Sequence, residues 1–516
     1  MSDQTFQEHP EAAELPFLQR VLNQFTGLSK DILIYGISGS LGQLFVLFTV
    51  PILTRVLTVG EFGALDVIYA VNGYLILVMS FNIGAGLWRY YYEVSADELK
   101  DRQRMVSSLF WFVLSVGLPI AVVIASFSQE LSLYLFDTEE YTLAIRFAVL
   151  SMPVTAIYYI FIGIQRMKRR PINYLVINLG YSMLYLLLVV VLVGLLRIGL
   201  QGIFLAQLIA YSAAALVTLW LARDLLGFTF SKDWFIKMAA YGLPMLPAAL
   251  LSWSLIAINR FILNNYVGVV QLGYYSLAGK ITLAMSLVVS SFTLAWQPFM
   301  LSNLKNTDAR RLYVLTLNYY TIFTLLVAAG ITIFAREIVL IIATPAYMAS
   351  IPLICILLFR YILPGAEYIT AVGIVISKKT IYTSLALAAA VVANLLATLF
   401  LTPRYGILGA AFAEIAGFLV GGIVIFLVSQ RLYPVDWNLR IISQSLLGYV
   451  GVAILSLLLL RSPFSLVWST LLRIALLSIY AAFLFRLIEP DQRKMLYALP
   501  RQVYVRVLER IRASVG

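Results

Sequence analysis

YGLPMLPAALLSWSLIAINRFILNNYVGVVQLGYYSLAGK, residues 241–280, is the stretch that decides the fold. Its mostly apolar run of about 18 residues, enough for one bilayer crossing, reaches Arg260. A short polar turn follows, and a second apolar run opens at Gly273 and carries Lys280 in lipid depth. Residues 35–69, YGISGSLGQLFVLFTVPILTRVLTVGEFGALDVIY, have the same plan: Tyr-Gly, an apolar run to Arg55, a Val-Gly turn, then Gly63 at the head of the next run. Two such units, a little over 200 residues apart, read as an internal duplication of about six helices per copy, a plan common in transporters.

Composition points the same way. The chain has 516 residues, of which 61% are hydrophobic and 12% charged, against roughly 25% charged in a soluble domain. That much apolar surface requires lipid as solvent, so the chain is expected to be an all-α integral membrane protein. The lone Cys355 excludes an internal disulfide and cysteine metal sites, and the lone His9, in the polar N-terminal tail, excludes histidine catalysis and histidine metal clusters. No metal or cofactor is expected. The net charge of +12 would suit nucleic acid if it formed a patch. It is instead scattered through short loops, as the positive-inside bias requires, so no nucleic-acid partner is expected.

Fourteen spans fit the apolar pattern: 32–54, 63–86, 106–126, 142–164, 172–196, 200–222, 238–262, 274–300, 312–334, 350–376, 380–401, 406–429, 440–460 and 465–487. With both termini cytoplasmic, 27 of the 37 Lys and Arg fall in inside segments and 5 in outside loops; the other 5 lie within spans. A missed or extra span would scramble that alternation. The tail 1–31 has no cleavable signal pattern, but Leu18, Val21, Leu22, Phe25 and Leu28 recur at helical spacing, as in a short interfacial helix. In the tail 488–516, apolar and basic residues alternate as in a basic amphipathic helix on an anionic leaflet.

Ionisable residues within spans usually face a cavity or a partner. Lys280 lies about two turns into its span. Arg360 and Glu367 share one helix face around Pro364, either as an ion pair bracing a kink or as a gate or proton site. Glu414 sits among Gly406, Gly409 and Gly417 with no partner evident in sequence. Asp66, Arg55 and Arg260 lie near outer helix ends, where snorkelling is the plain alternative to a functional role. Tyrosine pairs such as Tyr158–Tyr159 and Tyr319–Tyr320 could face a sugar. The run from Gly273 to Lys280 has the wrong spacing for a phosphate-binding loop, and Ile281 replaces its Ser/Thr. No outer loop is long enough for a catalytic domain, so an enzyme is not expected.

PILTRVLTVGEFGALDV (51–67) resembles the first-loop pattern of bacterial polysaccharide flippases, in which Pro-x-x-Thr-Arg-x-Leu precedes an acidic-aromatic-Gly turn. NRFILNNYVGVVQLGYYSLAGK (259–280) is similar to their seventh-to-eighth-span pattern. These flippases are the Wzx-like branch of the multidrug/oligosaccharidyl-lipid/polysaccharide (MOP) exporter superfamily. The resemblance implies an N-lobe (32–230) and a C-lobe (231–430), each of six helices, around a central cleft, followed by two further spans (431–487). It also implies a cationic cavity that passes the head of a polyprenyl-diphosphate-linked, anionic oligosaccharide across the bacterial inner membrane, with polysaccharide polymerase machinery as a partner. Lys280 and Arg260 match motif positions; Arg55 and Arg360 complete the expected substrate-binding set. Glu367, Glu414 and Asp66 are the expected coupling or gating residues, and the two glutamates match no motif. A drug or ion antiporter of the same fold, a peptidoglycan-precursor flippase and a membrane enzyme are the competing readings.

Overall fold

The computed structural model describes residues 45, 47–94, 99–304, 308–460, 466–488 and 493. Among them the regular structure is entirely helical, with no strand. In the first half run α1 (Leu47–Val56), α2 (Val59–Ser80), α3 (Ile83–Tyr90), α4 (Leu99–Ser126), α5 (Ser128–Phe136), α6 (Thr142–Met167), α7 (Pro171–Leu195) and α8 (Leu200–Leu221). The helix Lys232–Ser302 is broken at Gly268 into α9 (232–267) and α10 (269–302). Then come α11 (Ala309–Ile333), α12 (Ala335–Ile342), α13 (Pro345–Thr370) and α14 (Val372–Ile376). The helix Ile381–Leu432 is broken at Gly406 into α15 (381–405) and α16 (407–432), and α17 (Leu439–Leu459) and α18 (Leu466–Leu487) end the described chain.

Both breaks follow from glycine chemistry. Gly268 (φ 77°, ψ 169°) and Gly406 (φ 58°, ψ −136°) sit where a Cβ would be strained. Without the first break, the 71 residues of Lys232–Ser302 would make a rod of about 105 Å, more than three bilayer cores. Pro244 and Pro247 remain in helical backbone; the break is at Gly268.

Among the described residues twelve helices are long and apolar enough to cross a membrane. The second to fourteenth expected spans all fall on them, the eleventh and twelfth sharing Ile381–Leu432. The first falls largely outside the described residues, which show only Leu47–Val56 of it, so they do not fix the total at fourteen. The small-residue cluster Gly36–Gly42, the interfacial helix of tail 1–31 and nearly all of tail 488–516 also lie outside them. The second span starts four residues earlier than its apolar run. Thr58 and Glu61 form a capping box, Thr58 N donating to Glu61 Oε2 at 2.7 Å and Glu61 N to Thr58 Oγ1 at 3.2 Å, which supplies partners for two otherwise unpaired backbone donors.

The two halves meet along α2–α3 and α9–α10, and glycines shut the seam at both ends. At the end assigned to the outside, a Cβ on Gly63 would lie 2.0 Å from the Val269 carbonyl oxygen, and one on Gly273 would lie 2.1 Å from that of Val59. Gly63 and Gly273 are the two residues that head the second apolar runs of the two similar stretches of sequence. Midway, the Trp253 ring covers Gly73 while its indole donates to Ala70 O at 3.1 Å, and Tyr74 and Ser254 share a 2.5 Å hydrogen bond. At the end assigned to the inside, Gly86 packs on the backbone of Met238 and Gly242 on that of Asn82. Glycine permits these backbone approaches because no side chain intervenes.

Candidate functional site: a cavity walled by tyrosines and two cations

Between the two closures lies a cavity of about 610 Å³. Its first wall comes from α1 and α2, its second from α6, α7 and α8, and its third from α9 and α10. It therefore lies mostly within the first half of the chain, with the second half contributing one side.

That side carries the charge. Arg260, near the middle of the α9–α10 stretch, is 9% exposed, and its Nε donates to Asp66 Oδ2 at 2.6 Å. Ser276 Oγ donates to the same oxygen at 3.0 Å. Arg260 thus does not snorkel to the interface as its position near a helix end allowed; burial with Asp66 holds it in the cavity wall. Lys280 is half-buried, and its ammonium lies 5.8 Å from the Tyr69 ring centroid. Among the described residues it makes no ion pair or hydrogen bond. Asp66 is the one acid among the lining residues, so Arg260, Lys280 and Asp66 leave the lining with a net positive charge.

The first and second walls are aromatic. Tyr181 stacks on Tyr211 with centroids 4.4 Å apart, and Tyr158 packs on both at 5.4 and 5.3 Å. The hydroxyls of Tyr159 and Tyr211 lie 3.4 Å apart, and those of Tyr69 and Tyr185 3.2 Å apart. Tyr69, Tyr159, Tyr181, Tyr185 and Tyr211 all line the space. Asn72 Oδ1 and Thr155 Oγ1, also in the lining, are buried with no hydrogen-bond partner. Buried polar atoms left unpaired are unfavourable, so these two are ready acceptors for a polar ligand. Of the tyrosine pairs singled out in sequence, Tyr159 reaches the cavity, whereas Tyr320 is buried elsewhere and donates to Ile362 O at 2.8 Å. Tyr69, Tyr181, Tyr185, Tyr211 and Trp253 were not anticipated. The available signal was tyrosines four apart within an apolar span, as at 181 and 185, where each hydroxyl needs a partner.

The remaining expected residues lie elsewhere. Arg55 is exposed and donates to the carbonyls of Pro51 at 2.8 Å and Ile341 at 2.9 Å, tying α1 to α12 outside the cavity. Arg360 pairs with Glu414, not with Glu367 on its own helix, and the pair is buried in the second half of the chain. Tyr275 donates to Glu414, Asn259 Nδ2 lies 3.5 Å from the same carboxylate, and Thr398 donates to Asn259 Oδ1 at 2.7 Å. Glu414, 0% exposed, needs a counter-ion more than the half-buried Glu367 does, and that decides the pairing. The Glu367 side chain has no ion pair or hydrogen bond among the described residues. The run Gly273–Lys280 forms the second and third turns of α10, a helix and not a phosphate loop.

Comparison with known proteins agrees with this geometry. Residues 28–304 match the family described as polysaccharide biosynthesis protein. The succinoglycan biosynthesis transport protein ExoT of Rhizobium meliloti (strain 1021) is 27% identical over 261 residues, 49% of each chain; the match thus spans about half the length of that relative. Among solved structures, the lipid II flippase MurJ in an inward closed conformation superposes with a TM-score of 0.68 over 88% of this chain and 99% of that one, at 13% identity. An inward-facing multidrug resistance MATE transporter of the MOP superfamily superposes with a TM-score of 0.64 over 75% and 94%, at 16% identity. Those identities speak for the fold alone. The chain is a multi-pass membrane protein of the polysaccharide biosynthesis protein family, built on the helical fold of the MOP transporters.

Proposed function

We propose that this protein is a flippase that moves a polyprenyl-diphosphate-linked oligosaccharide across the bacterial inner membrane by alternating access, for surface polysaccharide synthesis. In this reading residues 32–230 and 231–430 are two lobes, residues 431–487 two further spans, and both termini face the cytoplasm. The observation that carries it is Lys280: a cation with no ion-pair partner among the described residues, facing a cavity whose one acid is already neutralised by Arg260. A lipid-facing Lys at that depth would cost roughly 2.5 kcal/mol or more. In the cavity it meets the requirement of the cargo, since a diphosphate crossing a bilayer needs positive charge along its path. The tyrosine wall beside it offers ring faces for sugar C–H groups and hydroxyls for sugar oxygens. A drug antiporter would require an anionic pocket for organic cations, and the paired Asp66 does not supply one. Glu367, half-buried and unpartnered, is the remaining candidate for ion coupling.

Cells carrying Lys280→Gln or Lys280→Arg as their sole copy would test this. Loss of a charge-assisted contact typically costs ten- to hundredfold in affinity, so Gln should lower export and accumulate the lipid-linked saccharide in the inner leaflet. Arg should retain more export than Gln. Normal export by Lys280→Gln at normal abundance would refute the cationic-cavity reading, and a gain of cationic-dye export would replace it with the antiporter.

A further inference from the structure

A second cleft, of about 370 Å³, lies at the end of the first half that the charge asymmetry assigns to the cytoplasm. Four pieces of chain build it: Tyr91 and Tyr92 just after α3, the first turn of α4, the α6–α7 turn and the segment after α8. They supply four cations, Arg102, Lys168, Arg169 and Arg170, against one acid, Asp224. Lys168 Nζ contacts both Asp224 oxygens, at 2.6 and 2.8 Å, and the two charges cancel. Three guanidinium groups therefore remain uncompensated. Arg102 lies over the Tyr91 ring at 4.8 Å and donates from Nη2 to Val94 O at 2.7 Å, yet its Nε is buried with no partner. Arg169 and Arg170 are exposed and make no side-chain hydrogen bond or ion pair among the described residues.

The backbone of the α6–α7 turn sharpens the point. Arg170 N donates to Gln165 O and Arg169 N to Arg166 O, the reciprocal closure that ends many helices. The residue in the left-handed position is usually glycine there; here it is Arg169, at φ 52°. An arginine is thus held in a position that disfavours it, at the mouth of a cleft already rich in cations. Tyr90, adjacent to Tyr91 and Tyr92 of the cleft, packs against Trp234 and Tyr241 at 6.4 and 6.2 Å beside the inner closure.

We propose that this cleft is a binding site for the phosphate group of a lipid in the inner leaflet, separate from the central cavity. A guanidinium fork matches phosphate oxygens two at a time, and basic pockets at the cytoplasmic ends of membrane helices take up anionic head groups. Arg102 supplies the buried donor, Arg169 and Arg170 close over the phosphate from the solvent side, and the Tyr91 ring holds the Arg102 guanidinium flat. The phosphate can be carried by a bulk anionic phospholipid or by a polyprenyl diphosphate, and a ligand there would sit beside the tyrosine that packs on the inner closure. The proposal rests on the inside/outside assignment above and not on the identity of the transported glycan.

The test uses the full chain in neutral detergent, with bound lipid counted by native mass spectrometry. The probes are phosphatidylglycerol, farnesyl diphosphate and zwitterionic phosphatidylcholine. At least one of the first two should be retained tenfold or more over phosphatidylcholine, and which one it is identifies the source of the phosphate. Arg102→Gln should lower that retention about tenfold, and so should Arg169→Gln with Arg170→Gln, a double change at exposed positions that tests the site without burdening the fold. Arg104→Gln removes an equal charge from the same segment, but from an exposed residue paired with Asp101, and should leave retention unchanged. All variants are compared in a Lys280→Gln background, so that diphosphate held at the central cavity is not counted and failure of this site is told apart from failure of the flippase reading. Retention equal to that of phosphatidylcholine, or an equal loss with Arg104→Gln, would overturn the proposal.

Discussion

Gly63→Ala should open the outer end of the seam. The added Cβ would sit 2.0 Å from the carbonyl oxygen of Val269. Carbon and carbonyl oxygen approach comfortably to about 3.3–3.6 Å, so α2 and α10 would have to part by roughly 1.3 Å or more. No rotamer change relieves the contact, because the opposing atom is backbone. Overpacking of this kind costs typically about 1–3 kcal/mol; levied only on the closed state, it shifts the closed-to-open ratio by about five- to a hundredfold. The assay places a cysteine at Ala257 in the cavity lining, with Cys355 replaced, and measures its labelling by a membrane-impermeant maleimide in intact cells. Labelling should speed up at least fivefold in Gly63→Ala and again in Gly273→Ala, whose Cβ would meet Val59 O at 2.1 Å. Gly180→Ala, where nothing lies within 4 Å, should not change it. Gly86→Ala and Gly242→Ala should instead speed labelling in inside-out vesicles. An unchanged rate in Gly63→Ala and Gly273→Ala at normal abundance would refute the argument that these glycines hold the outer end shut.

Further outcomes follow from the buried charges and the topology. Arg260→Ala leaves Asp66 buried without its counter-ion, a loss typically of about 3–5 kcal/mol; thermal stability should fall, and adding Asp66→Asn should recover most of it while export stays impaired. Glu414→Gln strands Arg360 in the same way and should lower the melting temperature of the purified protein, whereas Glu367→Gln breaks no contact and should melt like the wild type. If Glu367 carries a coupling proton, Glu367→Gln should also abolish any dependence of export on a pH gradient, and unchanged dependence would make it a structural residue. A cysteine at the exposed Glu130 should label from outside in intact cells, and one at the exposed Lys379 should not; outside labelling of both would overturn the proposed orientation.

The helices were legible in sequence because lipid imposes a simple rule on them, a run of about 20 apolar residues with cations at one end. The two motif cations were legible as well, and Arg260 and Lys280 share one cavity. Pairings across helices were not. Helical spacing placed Arg360 and Glu367 on one face, but it could not report that Glu414, 54 positions further along, lies deeper and claims the guanidinium. The tyrosine wall was hidden for a similar reason. Its residues come from four helices between positions 69 and 211, each reading singly as an interfacial tyrosine, and only their convergence makes a surface. Arg55 shows the converse, a motif residue whose side chain turns to backbone carbonyls at the rim.

The outer glycine contact has a consequence for how the molecule opens. Val59 and Val269 are 210 positions apart, as are Gly63 and Gly273, and each glycine rests on the carbonyl of the valine from the other stretch. Asp66 and Ser276, joined by a hydrogen bond, stand at the same separation. This is the self-complementary pattern of an isologous dimer, in which residue i meets j and j meets i, here folded into one polypeptide. Such an interface has no leading edge. Neither half of the contact can be relaxed while the other stays at full depth, so separation is expected as a single concerted step, not as a peeling from one side. A covalently linked pseudo-dimer would therefore switch like a symmetric oligomer, while its two halves remain free to differ in what they present to the cavity.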